Sequence, residues 1–281
     1  MGYQCFDVEV ADKVAHIVMN RPDKANSMIA AFWSELPEIV GSLSQSGSVR
    51  AIVLSGEGKH FCSGMDLAVF GSNDDLKGTG GGFRSRRNER QRGLILKLQD
   101  SFSALEDSRV PILAAIQGAC VGGAIDMVTA CDMRYATENA FFSIAEVNIG
   151  MTADVGTLQR MPKLVPEGIV RELAYTGRRW TAQEALTHGF LNAVYPDQEQ
   201  MLGAVRETAM EIASKSPATV WGTKRTMNYV RDHSVADGLE FIANWNAAML
   251  DADDMTEAMT AQIEKRQPEF PDLWSESSGL E

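Results

Sequence analysis

Residues 116–160, IQGACVGGAIDMVTACDMRYATENAFFSIAEVNIGMTADVGTLQR, decide the reading of this chain. Three carboxylates, Asp126, Glu146 and Asp154, stand 20 and 8 residues apart among small and apolar neighbours. Acids are rarely placed in such company unless they are paired or do chemistry. The pair Gly122-Gly123 directly precedes the first part of the motif, after the apolar run 110–117, and opens a predicted helix at about 123–129. Amides at a helix N-terminus lack intrahelical partners and lie at the positive end of the dipole. Carboxylates beside such amides point to proton transfer next to an oxyanion site.

Working outward, the chain alternates predicted strands and helices, the pattern of an α/β protein. Phe6–Val10 and Val14–Met19 read as a hairpin, and 49–55 and 110–117 as buried strands. Met133–Tyr135 and Ala140–Ser143 read as short strands. Ser27 is placed to N-cap a helix with Met28, Phe32, Leu36, Ile39, Val40 and Leu43 on one face, and Pro37 is placed to kink or divide it. Residues 71–92 read as a polar surface loop leading into a helix over 93–108. Beyond Pro196 the periodicity is helical, over 201–215, 217–231, 236–250 and 253–266. Trp221, Phe241, Ile242, Trp245 and Met249 there are accounted for first by packing on the core, with contact between subunits as the alternative. The expected division is a core over 1–200 and a helical segment over 201–281.

Composition narrows the function. A net charge of −12 argues against general nucleic-acid binding. Cys5, Cys62, Cys120 and Cys131 form no CxxC pair and have no histidine cluster beside them, so no metal site is expected. No apolar run has the length of a membrane span. The opening MGYQCFDVEVADKVAHIVMN has no basic amphipathic leader, and the closing SESSGLE is neither a peroxisomal tripeptide nor a prenylation box. With reduced thiols, these features lead to the expectation of a cytoplasmic protein.

A second glycine turn lies in His60-Phe61-Cys62-Ser63-Gly64-Met65-Asp66-Leu67, after the strand at 49–55. An unusual backbone angle at Gly64 would aim the Met65 amide into a cleft. Met65 and Gly123 could then bind one carbonyl oxygen and hold it best as an enolate. Each turn alone also serves as an ordinary strand-to-helix connection. Asp126 could be a helix cap, Glu146 a surface acid and Asp154 the N-cap of a helix starting near Val155. Asp132, Glu138 and the histidines at 16, 60, 188 and 233 read as structural.

The motifs resemble the crotonase, or enoyl-CoA hydratase/isomerase, superfamily. The matching marks are NRPDKANSM at 20–28, HFCSGMDL at 60–67, IQGACVGGAIDM at 116–127 and WTAQEALTHGFLNAVYP at 180–196. The resemblance implies a spiral of ββα units with a helical C-terminal trimerisation segment. It implies acyl-CoA thioester binding and homotrimers, often paired into hexamers, and no metal, nicotinamide or flavin. Typical hydratases carry Glu at both catalytic positions, whereas here they are Asp126 and Glu146. The segment AEVNIGMTADVGTLQRMP resembles the dienoyl-CoA isomerase branch, with an Asp eight residues after the Glu. By that resemblance Glu146 is the base at carbon 2, Asp154 the acid at carbon 6, and Asp126 positions or polarises Glu146. Two acids suit a shift of 3,5- to 2,4-diene, because one carboxylate can hardly reach both carbons. The resemblance also assigns Lys24, Ala25, Cys62, Ser63, Gly64, Asp66, Leu67 and Gly122 to the CoA path. The arginines at 84, 86, 87, 90 and 92 either attract CoA phosphates or form a solvated loop, and Lys265-Arg266 are candidates to reach a neighbouring subunit's ligand. Hydration of 2-enoyl-CoA and non-catalytic acyl-CoA binding are the alternative functions.

Overall fold

Alternating burial sets the first hairpin. In a computed structural model describing residues 2–72 and 82–276, β1 (Phe6–Ala11) pairs antiparallel with β2 (Val14–Met19), and β2 turns Ala15, Ile17 and Met19 inward. Asp12 and Lys13 between them take φ of 50° and 64°, the two positive angles that match a hairpin turn to strand twist. The remaining strands are β3 (Ala51–Gly56), β4 (Ile112–Ile116), β5 (Ala119–Val121), β6 (Met133–Thr137), β7 (Phe141–Ser143), β8 (Trp180–Thr181) and β9 (Ala193–Tyr195). Among the described residues one sheet runs β1-β2-β3-β4-β6-β9, parallel from β2 onward. A smaller sheet runs β5-β7-β8.

Both faces of the larger sheet are covered, which is why β3 and β4 are buried along their whole length. Helices Phe32–Ser46 and Arg84–Asp107 pack Phe32, Leu36, Phe102 and Leu105 against one face. Helix Gln198–Ala213 packs Met201, Val205 and Ala209 against Val53, Leu113 and Tyr135 on the other. Pro37 sits inside the first of these helices and leaves the Trp33 carbonyl without its usual i+4 donor. Ser101 Oγ donates to that carbonyl at 2.7 Å, so the proline joins two helices rather than dividing one.

Two expectations need correction. Ser27 does not cap a helix: the helix begins at Phe32, and Ser27 Oγ donates instead to Asp66 at 3.0 Å. Residues 25 and 26 take positive φ and Met28 bridges to Met65, so the chain is committed to an extended path there. Residues 71–92 are not one loop: helix Leu67–Ser72 enters the stretch, and a long helix already starts at Arg84. The expectation for residues 73–81 lies outside the described residues. Past residue 197 the helices are Gln198–Ala213, Pro217–Val230, Val235–Met249 and Ala252–Glu264. Their aromatic residues pack on one another, with Trp221 edge-on to Trp245 at 5.1 Å and Tyr229 stacked on Phe241 at 4.4 Å.

Candidate active site

Two glycine turns meet because the strands before them are laced together. Cys62 N–H donates to the Ala119 carbonyl at 3.0 Å and Val121 N–H to the Cys62 carbonyl at 3.1 Å. On the other side, Met28 N–H donates to the Gly64 carbonyl at 2.8 Å and Asp66 N–H to the Met28 carbonyl at 3.0 Å. In such a parallel bridge the central residue's own amide faces away from its partner, so the Met65 N–H is directed away from Met28. Gly64 takes φ 86°, and a Cβ there would lie 2.7 Å from the Val121 carbonyl and 3.5 Å from Gly123 N. No other residue fits that approach. Gly122 takes φ 58° and donates to the Ser143 carbonyl, after which helix Gly123–Thr129 opens. The Gly123 amide is thus one of the donors with no partner inside the helix.

Met65 and Gly123 both border a cavity of about 680 Å³. Trp33, Leu94, Ile95 and Leu98 form much of its apolar wall, and Glu146 and Asp154 its acidic part. Glu146 stands on the short helix Ala145–Ile149, half-buried, with its Oε1 3.2 Å from where a Gly122 Cβ would be. Asp126 lies behind this wall in the first turn of its helix, fully buried, and its Oδ1 accepts the Thr157 N–H at 2.6 Å. Asp126 Oδ2 and Glu146 Oε2 are buried with no hydrogen-bond partner among the described residues. Asp154 occupies the loop before helix Thr157–Arg160, and Gln99 Nε2 donates to its carbonyl at 2.7 Å.

The three acids are shifted the same way. Burial, then the neighbouring charge of Asp126, pushes Glu146 up to about 7. Burial pushes Asp126 up to about 6, against the pull of the Thr157 hydrogen bond. Burial also raises Asp154. Carboxyl groups near neutrality can take or give a proton with little driving force wasted. The cavity therefore brings two carboxyl groups, both raised by burial, to the wall that Met65 and Gly123 also border.

The structure brings Met65, Gly123, Glu146, Asp154, Ser63, Gly64 and Gly122 to this cavity. It places the others elsewhere. Cys62 is in the core, its Sγ 3.1 Å from the Asn26 carbonyl and its thiol pushed up to about 12 by burial, so the side chain does not reach the cavity. Lys24 is exposed at the end of the short helix Pro22–Lys24, and the Ala25 carbonyl holds the loop by accepting Ser63 N–H. Asp66 pairs with Ser27 and Arg21, and Leu67 opens its short helix. Asp154 is not a helix cap: Gly156 occupies that position, and the carboxylate that serves Thr157 comes from Asp126. Arginines 84, 86, 87, 90 and 92 stand on the first turns of the long helix, and Arg266 is engaged by Glu257 and Glu264. The sequence reading missed Trp33, Gln91, Leu94, Ile95 and Leu98 as cavity residues. The last four recur at i, i+3, i+4 and i+7, one face of a helix, which was the available signal.

The enoyl-CoA hydratase/isomerase family model matches residues 9–273. The chain belongs to the enoyl-CoA hydratase/isomerase family, and its α/β architecture is the crotonase fold. It is 42% identical over 268 residues to the human mitochondrial Delta(3,5)-Delta(2,4)-dienoyl-CoA isomerase, covering 95% of this chain and 81% of the relative. It is 43% identical over 260 residues to the peroxisomal enzyme of that name from Arabidopsis thaliana, covering 92% of this chain and 93% of the relative. The solved enoyl-CoA hydratase of Bacillus anthracis superposes with a TM-score of 0.86 at 29% identity, over 95% of this chain and 99% of that one.

Family membership implies an acyl-CoA substrate. The expectation of a cytoplasmic protein is overturned: these isomerase relatives are mitochondrial or peroxisomal. Buried free thiols do not separate the cytosol from an organelle interior. Among the described residues no helix is long and apolar enough to cross a membrane.

Proposed function

We propose that this chain is a dienoyl-CoA isomerase that converts 3,5-dienoyl-CoA to 2,4-dienoyl-CoA. The observation that carries the reading is the presence of both Glu146 and Asp154 on the wall of a cavity that Met65 and Gly123 also border. Glu146 removes a proton from carbon 2, and the electrons of that C–H bond become the 2,3 double bond. The 3,4 pair moves to 4,5, and the 5,6 pair takes a proton from Asp154 at carbon 6. The thioester oxygen carries the intermediate negative charge, held by the Met65 and Gly123 amides. Asp126 raises the basicity of Glu146 by its charge and fixes the start of the helix after Asp154.

Lys24, Ala25, Ser63, Gly64, Asp66, Leu67 and Gly122 lie along the proposed CoA path, with Cys62 contributing backbone only. The helices beyond residue 200 carry exposed apolar side chains, Val235, Leu239, Met259 and Ile263 among them. These support assembly as a homotrimer or a dimer of trimers, with 1–200 as the catalytic core and 201–281 as the assembling segment. Sedimentation of the purified protein tests that arrangement.

The function is tested with matched thioesters. An isomerase generates conjugated dienoyl absorbance from 3,5-dienoyl-CoA and leaves 2-enoyl-CoA intact. Loss of 2-enoyl absorbance instead would establish a hydratase. Inactivity on both, with binding retained, would establish an acyl-CoA-binding protein.

A further inference from the structure

The long helix Arg84–Asp107 presents two adjacent faces to the site. Gln91, Leu94, Ile95 and Leu98 line the acyl cavity. Gln99, Ser103 and Glu106, at i, i+4 and i+7, lie on the neighbouring stripe and grip the segment that carries Asp154. Gln99 Nε2 donates to the Asp154 carbonyl at 2.7 Å. Arg160 donates to Glu106 Oε2 at 3.0 Å and to Ser103 Oγ at 3.1 Å.

The chain just after Asp154 is held as well. Gly156 takes φ 138°, and the Arg160 guanidinium occupies the space where a Cβ would stand. Thr157 is fixed by its N–H to Asp126. Asp154 is therefore held at its own carbonyl by Gln99 and on its C-terminal side through Thr157 and Arg160. Gln99 lines a separate polar cavity of about 390 Å³, together with Ser103, Glu106 and Arg160. A single side-chain donor on a loop carbonyl is a weak contribution to folding but a strong constraint on where that loop's carboxyl points.

Resting on the isomerase reading, we propose that Gln99 is a positioning residue for Asp154, which sets delivery of the distal proton without entering the acyl cavity. It acts on one half of the reaction. Removal of the carbon 2 proton by Glu146 does not pass through it.

The test measures two rates on 3,5-dienoyl-CoA in deuterated buffer: formation of the 2,4-diene, and exchange of the carbon 2 hydrogen. Gln99→Met keeps the side-chain length and deletes the donor. Diene formation should fall about ten- to a hundred-fold in kcat, the scale of a roughly 1 Å misplacement. KM and the exchange rate should stay within about twofold of wild type, a change too small to count against a barrier effect. Gln99→Ser, too short to reach the carbonyl, should uncouple the two rates in the same way should the methionine variant fold poorly. Equal loss of both rates, or no change in either, overturns this inference while leaving the isomerase reading intact. A wild type that forms no 2,4-diene overturns the isomerase reading, and the role of Gln99 with it.

Discussion

The carboxylate of Asp126 accepts the backbone N–H of Thr157 at 2.6 Å, so an acid from one helix caps the start of another 31 residues away. This places the buried acid of the site in two roles at once. Its Oδ1 holds the chain just after Asp154, and its charge raises Glu146.

The two roles separate by substitution. Asp126→Asn keeps an oxygen for Thr157 but removes the charge. Glu146 should then ionise at lower pH, and the acidic limb of the kcat/KM profile should move down from about 7. Asp126→Ala also deletes the cap and should lower stability by about 0.5–2 kcal/mol. A pH–rate profile and a denaturant titration of both variants check the assignment. An unmoved acidic limb in the Asn variant would remove the electrostatic role.

Glu146→Gln preserves shape and abolishes the proton acceptor. Turnover should fall by roughly 10²–10⁴, with acyl-CoA affinity close to that of wild type. Steady-state kinetics with a calorimetric binding measurement decide it. Near-normal turnover would exclude Glu146 as the base.

Asp154→Asn should abolish formation of the 2,4-diene while exchange of the carbon 2 hydrogen with solvent partly survives. The amides and Glu146 remain in place in this variant. Persistence of both rates would reduce Asp154 to a loop residue and favour hydration chemistry.

Gly122 takes φ 58° and ψ −128°, and a Cβ there would stand 3.2 Å from Glu146 Oε1. Gly122→Ala should therefore cost about 1–3 kcal/mol in backbone strain. It should also lower activity by crowding the carboxylate. Thermal unfolding and kcat of the variant test both effects, and a fully active, equally stable alanine variant would contradict the geometry.

The raised carboxyls also make stability depend on pH. Glu146 and Asp126 are pushed up to about 7 and about 6, above their ordinary 4.5 and 3.8. A carboxyl that binds its proton more tightly when folded contributes stability below its ordinary pKa. That contribution is lost as pH rises through the folded value. Glu146→Gln should therefore be more stable than wild type at pH 8, with the gap closing towards pH 5. Urea denaturation at the two pH values measures it, and a gap that widens on acidification would reverse the sign.

Strands were legible where burial imposes a pattern. β2 alternates and β3 runs continuously apolar, and both stand within a residue or two of their expected positions. The start of the long helix was hidden because Arg84–Arg92 carries no apolar periodicity. Its Arg, Gln and Glu residues favour helix without an apolar stripe to announce it. Ser27 misled because a local capping preference lost to the bridge between Met28 and Met65. The alternative reading of Asp154 as an N-cap fails for the same kind of reason: the donor at Thr157 found its acceptor far away in sequence, in Asp126. The acids and glycines of the candidate site were visible as residue types in an unusual setting. Trp33 was not, since an aromatic residue on a helix face reads the same whether it lines a cavity or fills a core.

Because Leu98 and Gln99 are consecutive on one helix, the cavity wall and the tether of Asp154 share a single mechanical part. Redesign of this enzyme for longer or bulkier substrates at Leu94, Ile95 or Leu98 would tilt or shift that part. Broadened substrate range and loss of regiochemical fidelity should then arrive together in a mutant library. Met151 also borders the cavity and lies outside that helix, so variants that enlarge the cavity there offer the route by which the two properties can diverge.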